Sequence, residues 1–255
     1  MSHISGKTIV ITGASRGIGA AAARNFAAEG ANVVLAARSE GAIAQIAEEI
    51  SAAGGKATAK ACDVASYDDV ASLIAHATET FGGVDVLINN AGLIDPIARM
   101  DESDPTAWSG IVDVNLKGVY YGIHAALPGM LAKGAGTIIN ISSGAATGAL
   151  EGWSHYCATK AAVLSLTRCT HKEYADHGIR SVGLSPGTVA TEMQVQIKAS
   201  GVNPVSQLDP SVHIPAEWVA KGLAYLLDPA SDKYLGGDFS LKTDEGRAEA
   251  GLPAV

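Results

Sequence analysis

The stretch "TIVITGASRGIGAAAARNFAAEG", residues Thr8 to Gly30, carries the reading of the fold. A short apolar, β-branched run breaks at a turn holding Gly13, Gly17 and Gly19. The chain then restarts with the alanine-rich spacing of a helix. Strand, glycine turn and helix in that order open a βαβ unit. Glycine lets the backbone turn sharply and approach a phosphate closely, and the helix that follows presents free N–H groups and partial positive charge. The same turn can also serve tight packing alone. Its spacing, G-x-x-x-G-x-G, differs from the common G-x-G-x-x-G. The rest of the chain has to decide between the two readings.

Working outward, strand-like runs are predicted over 8–12, 32–37, 57–62, 85–89, 137–142, 180–185 and 234–241. Helices are predicted between them, over 18–29, 40–53, 67–81, 104–132, 154–177 and 215–227. Regular β–α alternation predicts an α/β fold, a doubly wound parallel sheet of about seven strands with helices on both faces. Runs such as "NVVLAA" and "GTIINIS" are continuously apolar, as strands covered on both faces must be. No Pro/Ser-rich linker divides residues 1–255, so one domain is expected. The stretch 187–215 is long, contains Pro204, Pro210 and Pro215, and has weak periodicity; it reads as a lid over a site. The polar tail 242–255 reads as a subunit contact or as disorder.

Composition narrows the class. The 255 residues are 47% apolar and 17% charged, which fits a globular domain. A formal net charge of −8 without a long basic run argues against nucleic acid or an anionic membrane as the main partner. No apolar run reaches the ~18 residues of a membrane helix, and the first residues lack the pattern of a signal peptide. Cys62, Cys157 and Cys169 form no CxxC pair, so a reduced, cytoplasmic setting is expected. The "SGKT" at 5–8 is not a P-loop: it precedes the strand, and Met1 stands where the first glycine should be. The histidines show no metal spacing, so no metal is expected.

One pair points to chemistry. Tyr156 is the tyrosine with a lysine, Lys160, four positions on in a helical segment, so the two share a face. An ammonium near a phenol is expected to lower the phenol's pKa toward working pH and fit it to exchange a proton with an alcohol oxygen. A surface Tyr–Lys pair is the plain alternative.

Taken together, "TGASRGIG" (12–19), "NNAG" (89–92), "YCATK" (156–160) and "SPG" (185–187) resemble the short-chain dehydrogenase/reductase family, in the family's order and over about the whole chain. The resemblance implies a Rossmann-type sheet, a nicotinamide dinucleotide, and a homotetramer or homodimer acting on a small carbonyl or alcohol. It implies a catalytic set of Asn115, Ser143, Tyr156 and Lys160. In that set Ser143 holds the substrate oxygen, and Asn115 binds a water that continues a proton relay from the lysine. Ser142 is the alternative to Ser143, with a capping role as its other reading. The resemblance places the cofactor against Gly13, Ser15, Arg16, Gly17, Ile18 and Gly19. Asp63 and Val64 would lie at the adenine, with Asn89, Ala91 and Gly92 near the ribose. Tyr156, Lys160, Pro186, Gly187, Val189 and Thr191 would lie at the nicotinamide end, with Thr188 as the alternative to Thr191.

The end of the second predicted strand reads "LAARSE". An acid there would hold a free ribose 2′-OH, whereas arginine suits a 2′-phosphate. Ala36 and Ala37 carry no acid, and Arg38 follows. With Arg16 it forms a candidate phosphate clamp. NADP(H) is therefore expected, with NAD(H) held by Glu40 as the alternative. The expected activity is reduction of a ketone or aldehyde. NAD-dependent alcohol oxidation, another chemistry on the same fold such as dehydration or epimerisation, and a non-catalytic dinucleotide sensor are the rival readings. Glu151, Trp153 and His155 precede the tyrosine where a substrate would pass. Leu93, Ile94, Leu150, Val189, Met193 and Val195 are candidates for an apolar wall.

Overall fold

The computed structural model describes residues 3–254. Met1 and Ser2, in the segment read for a signal peptide, and Val255, the end of the predicted tail, lie outside the described residues. Strand β1 (Thr8–Thr12) leads through the glycine turn into helix α1 (Gly17–Ala28). Then follow β2 (Asn32–Ala37), α2 (Glu40–Ala52), β3 (Lys56–Ala61), α3 (Tyr67–Phe81) and β4 (Val86–Asn89). The second half holds α4 (Pro105–Val112), α5 (Gly118–Lys133), β5 (Gly136–Ile141), α6 (Ser154–Tyr174) and β6 (Ile179–Ser185). It closes with α7 (Glu192–Ser200), α8 (Ala216–Tyr225), β7 (Asp238–Ser240) and α9 (Asp244–Glu249).

The seven strands form one parallel sheet in the order β3-β2-β1-β4-β5-β6-β7. This is the Rossmann-type arrangement. Order reverses between β1 and β4, and there the carboxyl ends open a crevice for a ligand. Every residue of β1 and β4 is buried, because helices cover both faces. One apolar layer packs α1, α2 and α8 on one face around Ile9, Phe26, Leu35, Val182, Leu223 and Phe239. The other packs α3, α5 and α6 around Val10, Leu73, Leu87, Met130, Ile138 and Val163.

Local signals set the helix starts. Ser66 caps α3 by accepting from Asp69 N–H at 3.3 Å, while Asp69 accepts from Ser66 Oγ and from the Asp63 N–H. Asp104 caps α4 in the same way, with Pro105 at the first helical position.

Four expectations need correction. The helix over 104–132 is three pieces: α4, a π-helical turn over Asp113–Lys117, and α5. The wide turn coincides with Asn115, whose amide clasps the backbone of Leu93 on both sides, Nδ2 to its carbonyl and Oδ1 from its N–H, each at 2.8 Å. Such wide turns frequently mark functional sites. The strand over 57–62 sits one residue earlier, leaving Cys62 buried beyond its end. The strand over 234–241 shrinks to Asp238–Ser240. Pro229–Tyr234 wind into a 3₁₀ turn, and Gly236 and Gly237 meet β6 only as single bonds, Gly236 N–H to Ser181 and Gly183 N–H to Gly237. Finally, the disorder reading of the tail gives way to a short helix packed on its own chain. Thr243 caps α9, the buried Arg247 donates to the Leu241 carbonyl at 2.8 Å, and Leu252 joins the core.

The stretch 187–215 holds more structure than its sequence suggests. Val189 bridges to Ile214 in parallel, so both ends of the segment are tied together. Between them lie α7 and 3₁₀ turns at Pro204–Gln207 and Pro210–Val212.

Candidate active site

Gly13 and Gly19 explain the turn after β1. Gly13 has φ +65°, and a Cβ there would lie 2.8 Å from the Ala91 Cα. A Cβ on Gly19 would lie 2.5 Å from the Gly13 carbonyl oxygen. The turn is thus pressed against the end of β4 as tightly as backbone allows. Thr12 and Asn90 lock it there. Thr12 Oγ1 accepts from the N–H groups of Asn90 and Ala91 at 3.0 and 3.1 Å. Asn90 Nδ2 donates to the carbonyls of Thr12 and Gly13 at 2.9 and 3.1 Å. Helix α1 begins at Gly17 with no side-chain cap, so its first N–H groups face outward from the crevice end of the sheet. A turn kept free of side chains at a helix N-terminus fits a dinucleotide pyrophosphate.

Of the two asparagines of "NNAG", Asn90 is the one that bonds the glycine turn. Asn89 ends β4 with its amide pointing into the sheet, where Nδ2 donates to Asn140 Oδ1 at 2.9 Å, and Asn140 donates on to Thr167 Oγ1. Period-two alternation separates the pair: with Asn89 facing the core, Asn90 faces the other way.

The other predicted cofactor residues gather along the same edge. Ser15, Ile18, Ala91 and Gly92 are half-buried at the turn and at the end of β4. Thr191 stands at the start of α7 without a side-chain capping bond, and its Cγ2 would meet a Cβ on Gly17 at 3.2 Å, so the root of the 187–215 segment touches the glycine turn. Thr191 Oγ1 donates to the Val189 carbonyl, while Val189 itself is buried in the α1–α8 layer. Pro186, Gly187 and Thr188 follow β6, and Thr188 uses its carbonyl on the Ile214 N–H. Asp63 Oδ1 accepts from the Ala65 N–H, and Val64 is buried beneath α5. Arg16 and Arg38 are exposed and form no salt bridge among the described residues. Glu40, exposed as well, is the first residue of α2. A groove of about 810 Å³ begins at Ser15, Arg16 and Gly17 and runs along α1 past Arg24, Glu49 and Ala220. It touches none of Ser143, Tyr156 and Lys160.

Those three meet where β5 hands over to α6. Ser143 caps a 3₁₀ turn, its Oγ accepting from the Ala145 N–H at 3.2 Å, and its hydroxyl lowers the pKa of the Tyr156 phenol. Lys160, one helical turn on, lies 5.5 Å from the Tyr156 ring centroid and donates from Nζ to the Ile141 carbonyl at 2.6 Å. Asn115 is close by: its Oδ1 and Lys160 Nζ both border the space beside Gly92. Both titratable groups are buried. Burial pushes the Tyr156 phenol up to about 12, against the opposing pull of the Ser143 hydroxyl. Burial also pushes Lys160 down to about 8. The expectation that the lysine draws the phenol toward neutrality is therefore corrected. Desolvation penalises both charged forms and is the largest cause of each shift.

Around Tyr156 lies a third apolar cluster of Ile94, Ala145, Trp153 and Ile197, with Leu150 and Met193 packed against it. Of the predicted wall, Ile94, Leu150 and Met193 are here, and Leu93 is half-buried beside them in sequence. Val189 belongs to another layer, and Val195 is 60% exposed. Trp153 stands edge-on to Tyr156 with a buried, unpartnered indole N–H. His155 turns inward, accepting from the Tyr156 N–H and bonding the Pro96 carbonyl, and Glu151 pairs with Arg99 at the surface. Neither faces the cluster as a substrate contact. Among the described residues no group of three or more His, Cys, Asp or Glu side chains is placed to hold a metal, and no helix is long and apolar enough to cross a membrane.

The parallel sheet, its glycine turn and the Ser–Tyr–Lys cluster together define a dinucleotide-binding oxidoreductase that works on CH–OH and C=O groups. Sequence comparison gives the family. Residues 7–201 match the model for short chain dehydrogenase, and the chain belongs to that family, whose cofactor is a nicotinamide dinucleotide. It is 32% identical to the cyclohexanol dehydrogenase of Acinetobacter sp., over 91% of this chain and 92% of that protein. It is 42% identical to the 3beta-hydroxysteroid dehydrogenase 1 of Eggerthella lenta, over 76% and 74%. It is 39% identical to a 3-oxoacyl-acyl-carrier-protein reductase of Staphylococcus aureus, over 73% and 76%.

Proposed function

We propose that this protein is an NADP(H)-dependent reductase of apolar ketones or aldehydes, with Ser143, Tyr156, Lys160 and Asn115 as its working set. The observation that carries the cofactor preference is the charge at the end of β2: Arg38 and Arg16 are exposed and free of carboxylate partners, and Ala36 and Ala37 offer no acid to a ribose 2′-OH. Two guanidinium groups beside the glycine turn suit a phosphate dianion. When bound against the glycine turn, a nicotinamide dinucleotide would supply hydride chemistry at the carbonyl carbon.

The chain's own residues do the rest. Tyr156 Oη, fully protonated at neutral pH, gives its proton to the carbonyl oxygen as negative charge grows there. The Ser143 hydroxyl donates to the same oxygen and steadies it. Lys160, within the helix turn of Tyr156, restores positive charge next to the phenolate left behind. Asn115, in the wide turn, keeps the Leu93 backbone and the floor beside Lys160 in place. The apolar cluster of Ile94, Leu150, Trp153 and Met193 excludes water from the reacting carbonyl. The segment 187–215, tied at its root by Val189 and Ile214, closes over this cluster as a lid.

A second reading has support of its own: Glu40 opens α2 three residues after β2 ends, and two relatives are named cyclohexanol dehydrogenase and 3beta-hydroxysteroid dehydrogenase 1. Under that reading NAD is the cofactor and oxidation of cyclic secondary alcohols the reaction. Thermal unfolding with NADPH, NADP, NADH and NAD at matched concentrations separates the two, since a ligand held only by the folded state raises the midpoint. A larger shift with the phosphorylated forms, lost in Arg38→Asp, supports the clamp. An equal or larger shift with NAD sinks it and moves attention to Glu40 and cyclohexanol-like substrates.

A further inference from the structure

Ser142, which the sequence leaves open between capping and catalysis, commits its hydroxyl to the far edge of the sheet. Its Oγ donates to Asp238 Oδ2 at 2.7 Å. Strands β5 and β7 are not neighbours; β6 runs between them. The register aligns Asn140, Gly183 and Asp238 in one row across the three strands, so the carboxylate must lie over Gly183. A Cβ at Gly183 would sit 1.7 Å from Asp238 Oδ1. The missing side chain in β6 is what admits an acid beneath α6. That second oxygen, Oδ1, is buried and has no hydrogen-bond partner. A carboxylate oxygen left so is costly unless a positive charge compensates it. Burial holds the Asp238 carboxyl above the ordinary aspartate range, against the pull of the Ser142 hydroxyl and of Arg168 and Lys160 on α6, and Asp238 in turn pulls the Lys160 pKa up.

We propose that Asp238 is a positioning residue for the reaction centre: through Ser142 it pins the strand end that carries Ser143, and its charge is the counter-charge of the buried Lys160 ammonium. This rests on the proposed role of Ser143 and Lys160, and its test needs neither cofactor nor substrate, so either reading can fail alone. The groups facing Lys160 are the Tyr156 phenol on its own helix, the uncharged Asn115 from the wide turn, the Ile141 carbonyl on β5 and Asp238 on β7. Those facing Asp238 are Lys160 and Arg168 from α6 and the Ser142 hydroxyl from β5. The His171 ring of α6 lies against Gly236, two residues earlier.

The experiment is competitive acetylation of the whole protein with acetic anhydride over a pH series, with the Lys160 peptide quantified by mass spectrometry. Wild-type protein should label with a midpoint near 8. Asp238→Asn keeps an oxygen for Ser142 and loses the charge, so its midpoint should fall by about half a pH unit or more, with the unfolding temperature nearly unchanged. An unchanged midpoint in a folded Asp238→Asn protein overturns the proposal and leaves Asp238 a packing residue. A reading on wild-type protein guards against a variant that fails to fold. With carbon-13 at the aspartate carboxyls, the Asp238 signal should show a second inflection at the Lys160 midpoint. A single inflection overturns the coupling.

Discussion

At the ends of β1 and β2 the distinctive side chains stand in solvent: Arg16 and Arg38 are exposed and unpaired, and the turn beside them is bare backbone. At the end of β5 and on α6 the distinctive side chains are buried or half-buried and bonded: Ser143 to the Ala145 N–H, Lys160 to Ile141, Ser142 to Asp238. These two stretches lie at the carboxyl edge of one sheet and, under the proposed function, meet opposite demands. Groups that select a charged ligand must be hydrated until it arrives, and they act by charge. Groups that move a proton must stand ready in a low dielectric, where a fixed dipole counts for most. Under the proposed function, the half assigned to binding is held open by glycines, and the half assigned to reaction is closed by packing.

Tyr156→Phe tests the buried half most severely. It removes one hydroxyl and nothing else, so carbonyl reduction should fall by about 10²–10⁴-fold, with cofactor affinity and unfolding temperature close to wild type. A loss under tenfold would place the reaction elsewhere. For the exposed half, Arg38→Asp should weaken NADPH binding by about 10–100-fold and leave NADH within about twofold, as expected for losing charge-assisted bonds to a phosphate. Titration calorimetry reads both, and equal weakening of the two ligands would remove the distinction between the halves.

The glycine turn belongs to the exposed half yet should behave as a rigid part. Gly13→Ala combines a left-handed φ with a 2.8 Å approach to the Ala91 backbone. It should cost about 1–3 kcal/mol and lower the unfolding midpoint by several degrees. A midpoint at the wild-type value would mean that the turn has slack.

The smallest effect concerns Lys160. Its pKa is lowered on folding, from an ordinary 10.5 to about 8. The unfolded chain thus holds a proton that the folded protein sheds between those values, and wild-type stability rises across that window as pH rises. Lys160→Met lacks this penalty. It should be more stable than wild type by about 1 kcal/mol below pH 8, after allowing for the lost bond to Ile141. The gain should fade as pH approaches 10.5. Chemical denaturation at pH 7, 8.5 and 10 measures the trend; a gap that widens with pH would reverse the burial argument.

Much of this was legible in the chain. Alternating apolar runs and helix spacing located the sheet, because burial on both faces demands continuous apolar strands. The glycines of 13–19 and the four-residue interval from Tyr156 to Lys160 marked the two stretches at the carboxyl edge, since both are local constraints of backbone and helix. What stayed hidden was non-local. The break at Asn115 depends on Leu93, twenty-two positions away. The shortness of β7 depends on what β6 offers it. The difference between Asn89 and Asn90 lies in which face of β4 each takes.

The residues themselves determined the alternation, the bare turn and the absence of an acid after β2, because propensity, steric size and charge are properties of neighbours in the chain. Only the tertiary structure decided the protonation of the site and the company of Ser142. Desolvation of Tyr156 and Lys160 is the work of every element packed above them. The bond from Ser142 to Asp238 joins residues 96 positions apart, and it exists because Gly183, on the strand between them, leaves its place empty.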